Sequence, residues 1–378
     1  MFAKIRNQKL AQATSHLLLA GAMAISYTGC EKGAGSFSVL TNSSQYVQND
    51  AYIPRKVDVL FVVDNSGSMA SSQTNLANNF SSFIEKFISK GFDFRIAVTT
   101  SDTYYSAQAP SGSSCLKSGI DLCAPSYARF RSGTNPQVYV IDSNDYDFNF
   151  PDEVNRLKDT FKANALVGTI GSGDERAFSS FQATLSSNLN SDFRRSDAFL
   201  AVVILSDEDD FSQESLAASD DTYSQPLYSV ASYNTFLAQL TGGVSGKDYS
   251  VSTISILDQA CQNLLFTASG KQKIGQRYIQ LADLTGGTKN SLCSPFDQSL
   301  DNISNNIVVQ VKPIFTLSKK PIESSIVVSV NGVKVPKSDT EGWSYDSTKN
   351  TITINGSTFA PKSGQAVSIN FDPYVSIN

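Results

Sequence analysis

The chain has 378 residues, 40% of them apolar and 17% charged, and a formal net charge of −5. This balance fits a globular protein with one large domain and a smaller one, and argues against a disordered or membrane-embedded chain. The acidic excess and the lack of any basic tract argue against nucleic acid as a partner.

At the N-terminus, Lys4, Arg6 and Lys9 precede an apolar run from Leu17 to Tyr27, too short to span a bilayer as a helix. Residues 1–29 therefore read as a secretory signal. The run ends at Tyr27-Thr28-Gly29-Cys30, which resembles the lipobox of bacterial lipoproteins, although Tyr27 stands where Leu is usual. That resemblance implies cleavage before Cys30, acylation of its thiol and a membrane anchor in lipid, with ordinary secretion as the alternative. Cleavage there removes three positive charges and no acid, taking the net charge from −5 to −8. Glu31 occupies the position where Asp often signals inner-membrane retention, which favours the outer membrane, at its periplasmic face or the cell surface. Residues 30–52 carry Gly, Ser, Asn and Gln without an apolar face and read as a flexible tether, spanning roughly 25 Å on average.

From Val57 the pattern becomes orderly. Val57 to Val63 reads as a buried strand. Leu76, Phe80, Phe83, Ile84, Phe87 and Ile88 follow at helical spacing within 71–90, and Gly91 ends that helix. Phe94 to Thr99 is the next strand, and a short return after a helix implies a right-handed parallel crossover. An edge strand is expected near 137–141. The alternation continues with helices at 153–165, 175–185, 229–240, 274–284 and 296–308 and strands at 199–205 and 249–256. These predict an α/β domain over 53–312 built on a doubly wound, mostly parallel sheet. Beyond Lys312 the rhythm changes to short alternating runs, with Asn331-Gly332 marking a hairpin turn and strands at 351–355 and 366–372. Residues 313–378 are therefore expected to form a small, separate β-sandwich with Trp343 and Tyr345 in its core.

Asp64-Asn65-Ser66-Gly67-Ser68 leaves the first strand of the α/β domain with three oxygen side chains at alternate positions. A carboxylate and two hydroxyls offer Mg²⁺ the hard ligands it prefers while leaving coordination positions open. Asp64, Ser66 and Ser68 resemble the D-x-S-x-S signature of the von Willebrand factor A family, whose metal-ion-dependent adhesion site takes a partner's carboxylate through the ion. The resemblance implies a Thr on a later loop and an Asp after a central strand. Thr169 in Gly168-Thr169 answers the first, although the spacing to Gly173 is one residue longer than usual, and Ser172 is the alternative ligand. Asp207 answers the second, with Ser206 and Glu208 departing from the family's Thr and Gly. Expected ligands are thus Asp64, Ser66, Ser68, Thr169 and Asp207, holding Mg²⁺ with Ca²⁺ or Mn²⁺ as substitutes. The expected partner is a protein or matrix component presenting an Asp or Glu carboxylate. Glu208, Asp209 and Asp210 are expected to lie in a solvated acidic loop, or to form a second, weaker cation site.

Without Cys30, four cysteines remain, and a chain exported to an oxidising compartment favours the pairs Cys115–Cys123 and Cys261–Cys293, each bracketing an irregular segment. Zinc is disfavoured because no C-x-x-C spacing occurs. His16 lies within the signal, so a cleaved chain has no histidine, which removes histidine-based catalysis. No other catalytic spacing stands out, and a binding function is expected rather than an enzymatic one. An envelope scaffold with a purely structural cation is the main alternative, ahead of a metal-dependent hydrolase. Residues 101–135 leave the second strand at the same sheet edge as the Asp64 turn. Their Tyr104, Tyr105 and Tyr127 suggest either partner contact or a disulfide-clipped cover for the edge strand.

Overall fold

Strands form where apolar and β-branched residues run without interruption. Val57–Val63, Phe199–Ser206 and Tyr249–Ser255 are buried at every position, as strands covered on both faces must be. The computed structural model describes residues 46–374 except 53–55, 217–222, 224–225, 247, 267–269, 357 and 363. The expected signal, Cys30 and the first part of the expected tether lie outside the described residues.

Six strands form one sheet in the order Val140–Asp142, Phe94–Thr100, Val57–Val63, Phe199–Ser206, Tyr249–Ser255, Lys289–Ser291. Its core strands are parallel and in register, with Val63 opposite both Thr100 and Leu205, so these three strands end at one edge. On one face Val59, Phe61 and Val63 pack against Leu76 and Phe80 of helix Ala70–Lys90, Phe161 of Pro151–Ala165 and Ile303 of Phe296–Gln310. On the other, Leu60 and Val62 meet Phe178 of Ala177–Ser186, Tyr233 of Val230–Thr241 and Leu281 of Gln276–Thr285. Gly91, at φ 68°, closes the first helix with backbone bonds to Phe87 and Ile88, a conformation that costs a glycine little.

The architecture corrects the expected doubly wound, mostly parallel sheet with a separate C-terminal β-sandwich. The six-stranded sheet is mixed, because Val140–Asp142 runs antiparallel to Phe94–Thr100 at the edge. A crossover helix is what returns a chain parallel to its neighbour. Between these strands the chain instead takes an irregular course, and it comes back in the opposite direction. Antiparallel sheets of four and three strands and a two-stranded ribbon accompany the mixed sheet.

The four-stranded sheet is not purely C-terminal. Tyr46–Ala51, read from sequence as the end of the tether, pairs antiparallel with Ala366–Phe371 over six residue pairs, and Tyr46 packs on Phe371 at 5.2 Å between ring centres. Its polar sequence hides this, since backbone bonds and one aromatic contact do the pairing. The described residues accordingly form one compact unit. Val327–Val330 and Val333–Val335 make the hairpin expected at Asn331-Gly332, with both turn residues at positive φ. Trp343 is buried with Val328, Ile352 and Ile369, and Tyr345 packs at the margin of this cluster.

Both disulfides are formed as paired from the sequence, Cys115–Cys123 with Cα atoms 5.2 Å apart and Cys261–Cys293 with 5.7 Å. Among the described residues, no helix is long and apolar enough to cross a membrane.

Candidate functional site

The parallel register brings three loops to one sheet edge, following Val63, Thr100 and Ser206. Asp64 continues the ladder by one bond, donating its N–H to the Leu205 carbonyl at 3.0 Å. Its side chain is buried. Oδ1 accepts from the Ser66 N–H at 2.8 Å, and Oδ2 accepts from the Ser206 hydroxyl at 2.6 Å. Ser66 and Ser68 place their hydroxyl oxygens 3.3 Å apart, and Ser68 donates to Asp207 Oδ1 at 3.1 Å. Four of the five expected ligands, Asp64, Ser66, Ser68 and Asp207, are thus joined in one cluster.

Thr169 is half-buried and lines the same cavity. This cavity, of 570 Å³, is bordered by Ser66, Ser68, Lys117, Thr169, Glu208 and Lys271. Ser172, the alternative, is engaged elsewhere. Its N–H donates to Asp102 Oδ2 at 3.2 Å and its hydroxyl accepts from the Asp174 N–H at 3.1 Å. It therefore braces the loop. A larger surface depression between helices Ala70–Lys90 and Phe296–Gln310 is lined by Glu85, Lys86, Asp297 and Asp301, whose exposed charges include the Lys86–Asp301 pair, and it lacks converging buried groups.

The loop carrying Thr169 is tied to the Asp64 turn by close packing. Gly171 donates its N–H to the Asn65 carbonyl at 2.9 Å, and a Cβ there would lie 2.2 Å from the Asn65 side chain. Gln73, buried one helical turn after the metal-type turn, donates to both the Asp64 carbonyl at 2.9 Å and the Gly168 carbonyl at 2.7 Å. Asp102 joins the third loop by accepting from Asn65, Thr100, Tyr127 and the Ser172 N–H. Gln73 and Asp102 carried no sequence signal, because their roles depend on loops distant in the chain.

The acidic loop is not solvated. Glu208, Asp209 and Asp210 are all at most 1% exposed, which overturns the expectation for them. Asp210 accepts from the Phe178 N–H, from the Ser212 N–H and hydroxyl, and from Arg277 Nη2 at 3.2 Å. Asp209 accepts from the Tyr223 hydroxyl and the Arg277 and Asp210 N–H groups, though burial still pushes its carboxyl up to about 6. These two acids hold the loop in place. Arg277, at the start of its helix, offered no spacing from which this pairing could be read.

The Asp64 cluster lacks such compensation. Among the described residues no lysine or arginine forms an ion pair with Asp64, Glu175 or Asp207. Burial and the neighbouring charge of Asp207 push the Asp64 carboxyl up to about 7, against the lowering effect of Ser206 and Ser66. Burial raises Asp207 as well, with Ser68 and Gln272 opposing. Glu175 was read from sequence as the start of a helix, but that helix is Ala177–Ser186, and Glu175 stays in the preceding loop, fully buried. Neither of its carboxylate oxygens has a hydrogen-bond partner. The Ser101 hydroxyl favours its charged form without reaching hydrogen-bond geometry. Burial, then Asp64 and Glu208, drive its carboxyl well above the usual range.

Buried like charges with unsatisfied oxygens need protons or a cation. Among the described residues, no three His, Cys, Asp or Glu side chains are grouped to hold a metal by themselves. A cation here would need a mixed shell of carboxylate and hydroxyl oxygens, and Asp64, Ser66, Ser68 and Asp207 supply one. The residues present therefore fit a hard divalent ion.

The tyrosines of the 101–135 segment pack inward to different degrees, with Tyr105 half-buried and stacked on Tyr104. Tyr104 is wholly buried, its hydroxyl 3.3 Å from Asp174 Oδ2, and Tyr127 is half-buried on Asp102 and under the Arg131 guanidinium. Lys117 and Ser118 are what this segment brings to the cavity, Lys117 donating to the Gly171 carbonyl.

No protein-family model and no curated protein matches the chain. Among solved structures it is similar to the pilus adhesin SpaC from Lactobacillus rhamnosus GG, at 12% identity over 86% of this chain and 40% of that one, with a TM-score of 0.37. Proximal thread matrix protein 1 from the mussel byssus follows at 9% identity over 71% and 51%, with 0.34, and the pilus adhesin RrgA from Streptococcus pneumoniae at 9% over 86% and 57%, with 0.31. The chain spans between 40% and 57% of the length of these three proteins. Likenesses this weak carry neither fold nor function to it.

Proposed function

We propose that the chain is a cell-envelope protein that captures another protein, or a matrix component, through a divalent cation at the Asp64 turn. The observation that supports this reading best is the convergence of Asp64, Ser66, Ser68 and Asp207 beside a cavity that Ser66 and Ser68 line, with buried carboxylates on Asp64 and Asp207 that, among the described residues, no lysine or arginine pairs with. Mg²⁺ is the proposed ion, with Ca²⁺ or Mn²⁺ as substitutes, held by these four residues and Thr169 directly or through water. When bound, the ion supplies the positive charge against which a partner's Asp or Glu carboxylate is desolvated.

The chain's own part is to fix the oxygens. Gln73, Gly171 and Asp102 lock three loops together, so the site is organised before a partner arrives and little ordering entropy is lost on capture. Binding rather than catalysis is proposed, since no general base with a distinctive sequence spacing accompanies the ligands. The site is proposed to be of the von Willebrand factor A type, as the D-x-S-x-S turn suggests, and the chain to be anchored through lipidated Cys30, with the outer membrane as its place.

Capture of envelope proteins by the purified chain tests this. Capture should be lost in chelator, regained with Mg²⁺, and absent from an Asp64→Ala variant that keeps its circular dichroism spectrum. Capture that persists equally in chelator would favour a scaffold with a purely structural ion.

A further inference from the structure

We infer that Glu175 belongs to the cation site as a further carboxylate that reaches the ion through water; the inference rests on the function proposed above, and a bond through water agrees with the absence, among the described residues, of three acids grouped to hold a metal by themselves. Asp174, Glu175 and Arg176 are consecutive and all buried, but they divide in two directions. Arg176 donates to Asp174 Oδ2 through Nε at 3.0 Å and Nη2 at 2.5 Å and lies over the Tyr104 ring, so these two neutralise each other on one side. Glu175 takes no part in that pair, and the charges acting on it are those of Asp64, Glu208 and Asp102.

The backbone around it is pinned. The Glu175 carbonyl accepts from the Phe211 N–H at 2.7 Å, and the Arg176 N–H donates to the Ser101 carbonyl at 3.3 Å. The backbone is therefore held between the loops following Thr100 and Ser206, which leave the same sheet edge as the Asp64 turn. A carboxylate with no exposure and no donor for either oxygen is costly wherever it serves packing alone, since glutamine or an apolar residue would serve better. The other buried acids nearby show how this protein treats a purely structural carboxylate: Asp102, Asp209 and Asp210 each accept at least three hydrogen bonds. Among the described buried acids, Glu175 is the one with both oxygens lacking a hydrogen-bond partner, beside a cluster already short of positive charge. A cation shared with the Ser66 and Ser68 hydroxyls satisfies both deficits at once.

Titration of chelator-stripped protein with Mg²⁺ and with Ca²⁺, by calorimetry, tests the assignment on wild type, Glu175→Gln, Glu175→Asp and Asp64→Ala, with circular dichroism as the check of folding. Glu175→Gln keeps the shape of the side chain and removes its charge, and roughly 10–100-fold weaker cation binding is expected. Should that variant fail to fold, Glu175→Asp keeps the charge on a shorter arm and is expected to bind several-fold more weakly than wild type. Cation affinity equal to wild type in either folded variant, while Asp64→Ala binds none, overturns the role of Glu175 and leaves the proposed function standing. A wild type that takes up neither ion overturns both.

Discussion

Replacing Asp64 by Asn should make the cation-free protein more stable at alkaline pH. The folded carboxyl titrates near 7 against 3.8 for an exposed one, because burial and Asp207 disfavour its charge. Between those values the folded chain holds a proton that the unfolded chain has released, so stability falls as pH rises from about 4 to 7 and then levels. The full difference corresponds to about 4 kcal/mol, a ceiling that relaxation and water entry reduce. Asn keeps an acceptor for the Ser66 N–H but forfeits the oxygen that takes the Ser206 hydroxyl, at about 1 kcal/mol. A net gain of about 1–3 kcal/mol is expected at pH 8 in chelator, vanishing below about pH 4. Urea unfolding across pH, in chelator, reads it directly. An Asp64→Asn protein that is less stable than wild type at pH 8 in chelator would refute the reasoning, since it would mean that the charged carboxylate is well accommodated without an ion.

Gly171→Ala brings a Cβ to within 2.2 Å of the Asn65 side chain and should displace the Asp64 turn. A stability loss of about 1–3 kcal/mol and weaker Mg²⁺ binding by calorimetry are expected. Arg277→Met leaves the fully buried Asp210 without its cation and should cost about 3–5 kcal/mol in denaturant unfolding, where an exposed ion pair would cost under about 1. Replacing Cys261 and Cys293 together by Ser opens a link across 32 residues and should lower stability by about 2–4 kcal/mol under non-reducing conditions.

Much of the secondary structure was legible because its signals are local. Helix Ala70–Lys90 follows from the spacing of Leu76, Phe80, Phe83 and Phe87 and from Gly91 beyond it, and the buried strands follow from unbroken apolar runs. The Asp64 turn was legible for the same reason, its oxygens lying within five residues. What failed was decided by partners far along the chain. Tyr46–Ala51 looks like linker because its pairing with Ala366–Phe371 uses backbone groups common to every sequence. The direction of Val140–Asp142 depends on the route of the 101–139 segment, on which apolar periodicity is silent. Asp209 and Asp210 look solvated by composition, and it is Arg277, Tyr223, Ser212 and the N-terminus of helix Ala177–Ser186 that offset their burial. Glu175 is the clearest case, since Asp174-Glu175-Arg176 reads as an ordinary charged helix start until one pair is seen to close and the middle residue to face inward.

The central claim is that a divalent cation sits among the oxygens of Asp64, Ser66, Ser68 and Asp207. Anomalous diffraction from crystals soaked in Mn²⁺ tests it most directly. A single strong peak bonded to these side chains, absent from crystals of the Asp64→Ala variant, is the result predicted. Soaked crystals with no peak at the turn, and its hydroxyls still bonded only to one another and to Asp207, would contradict it.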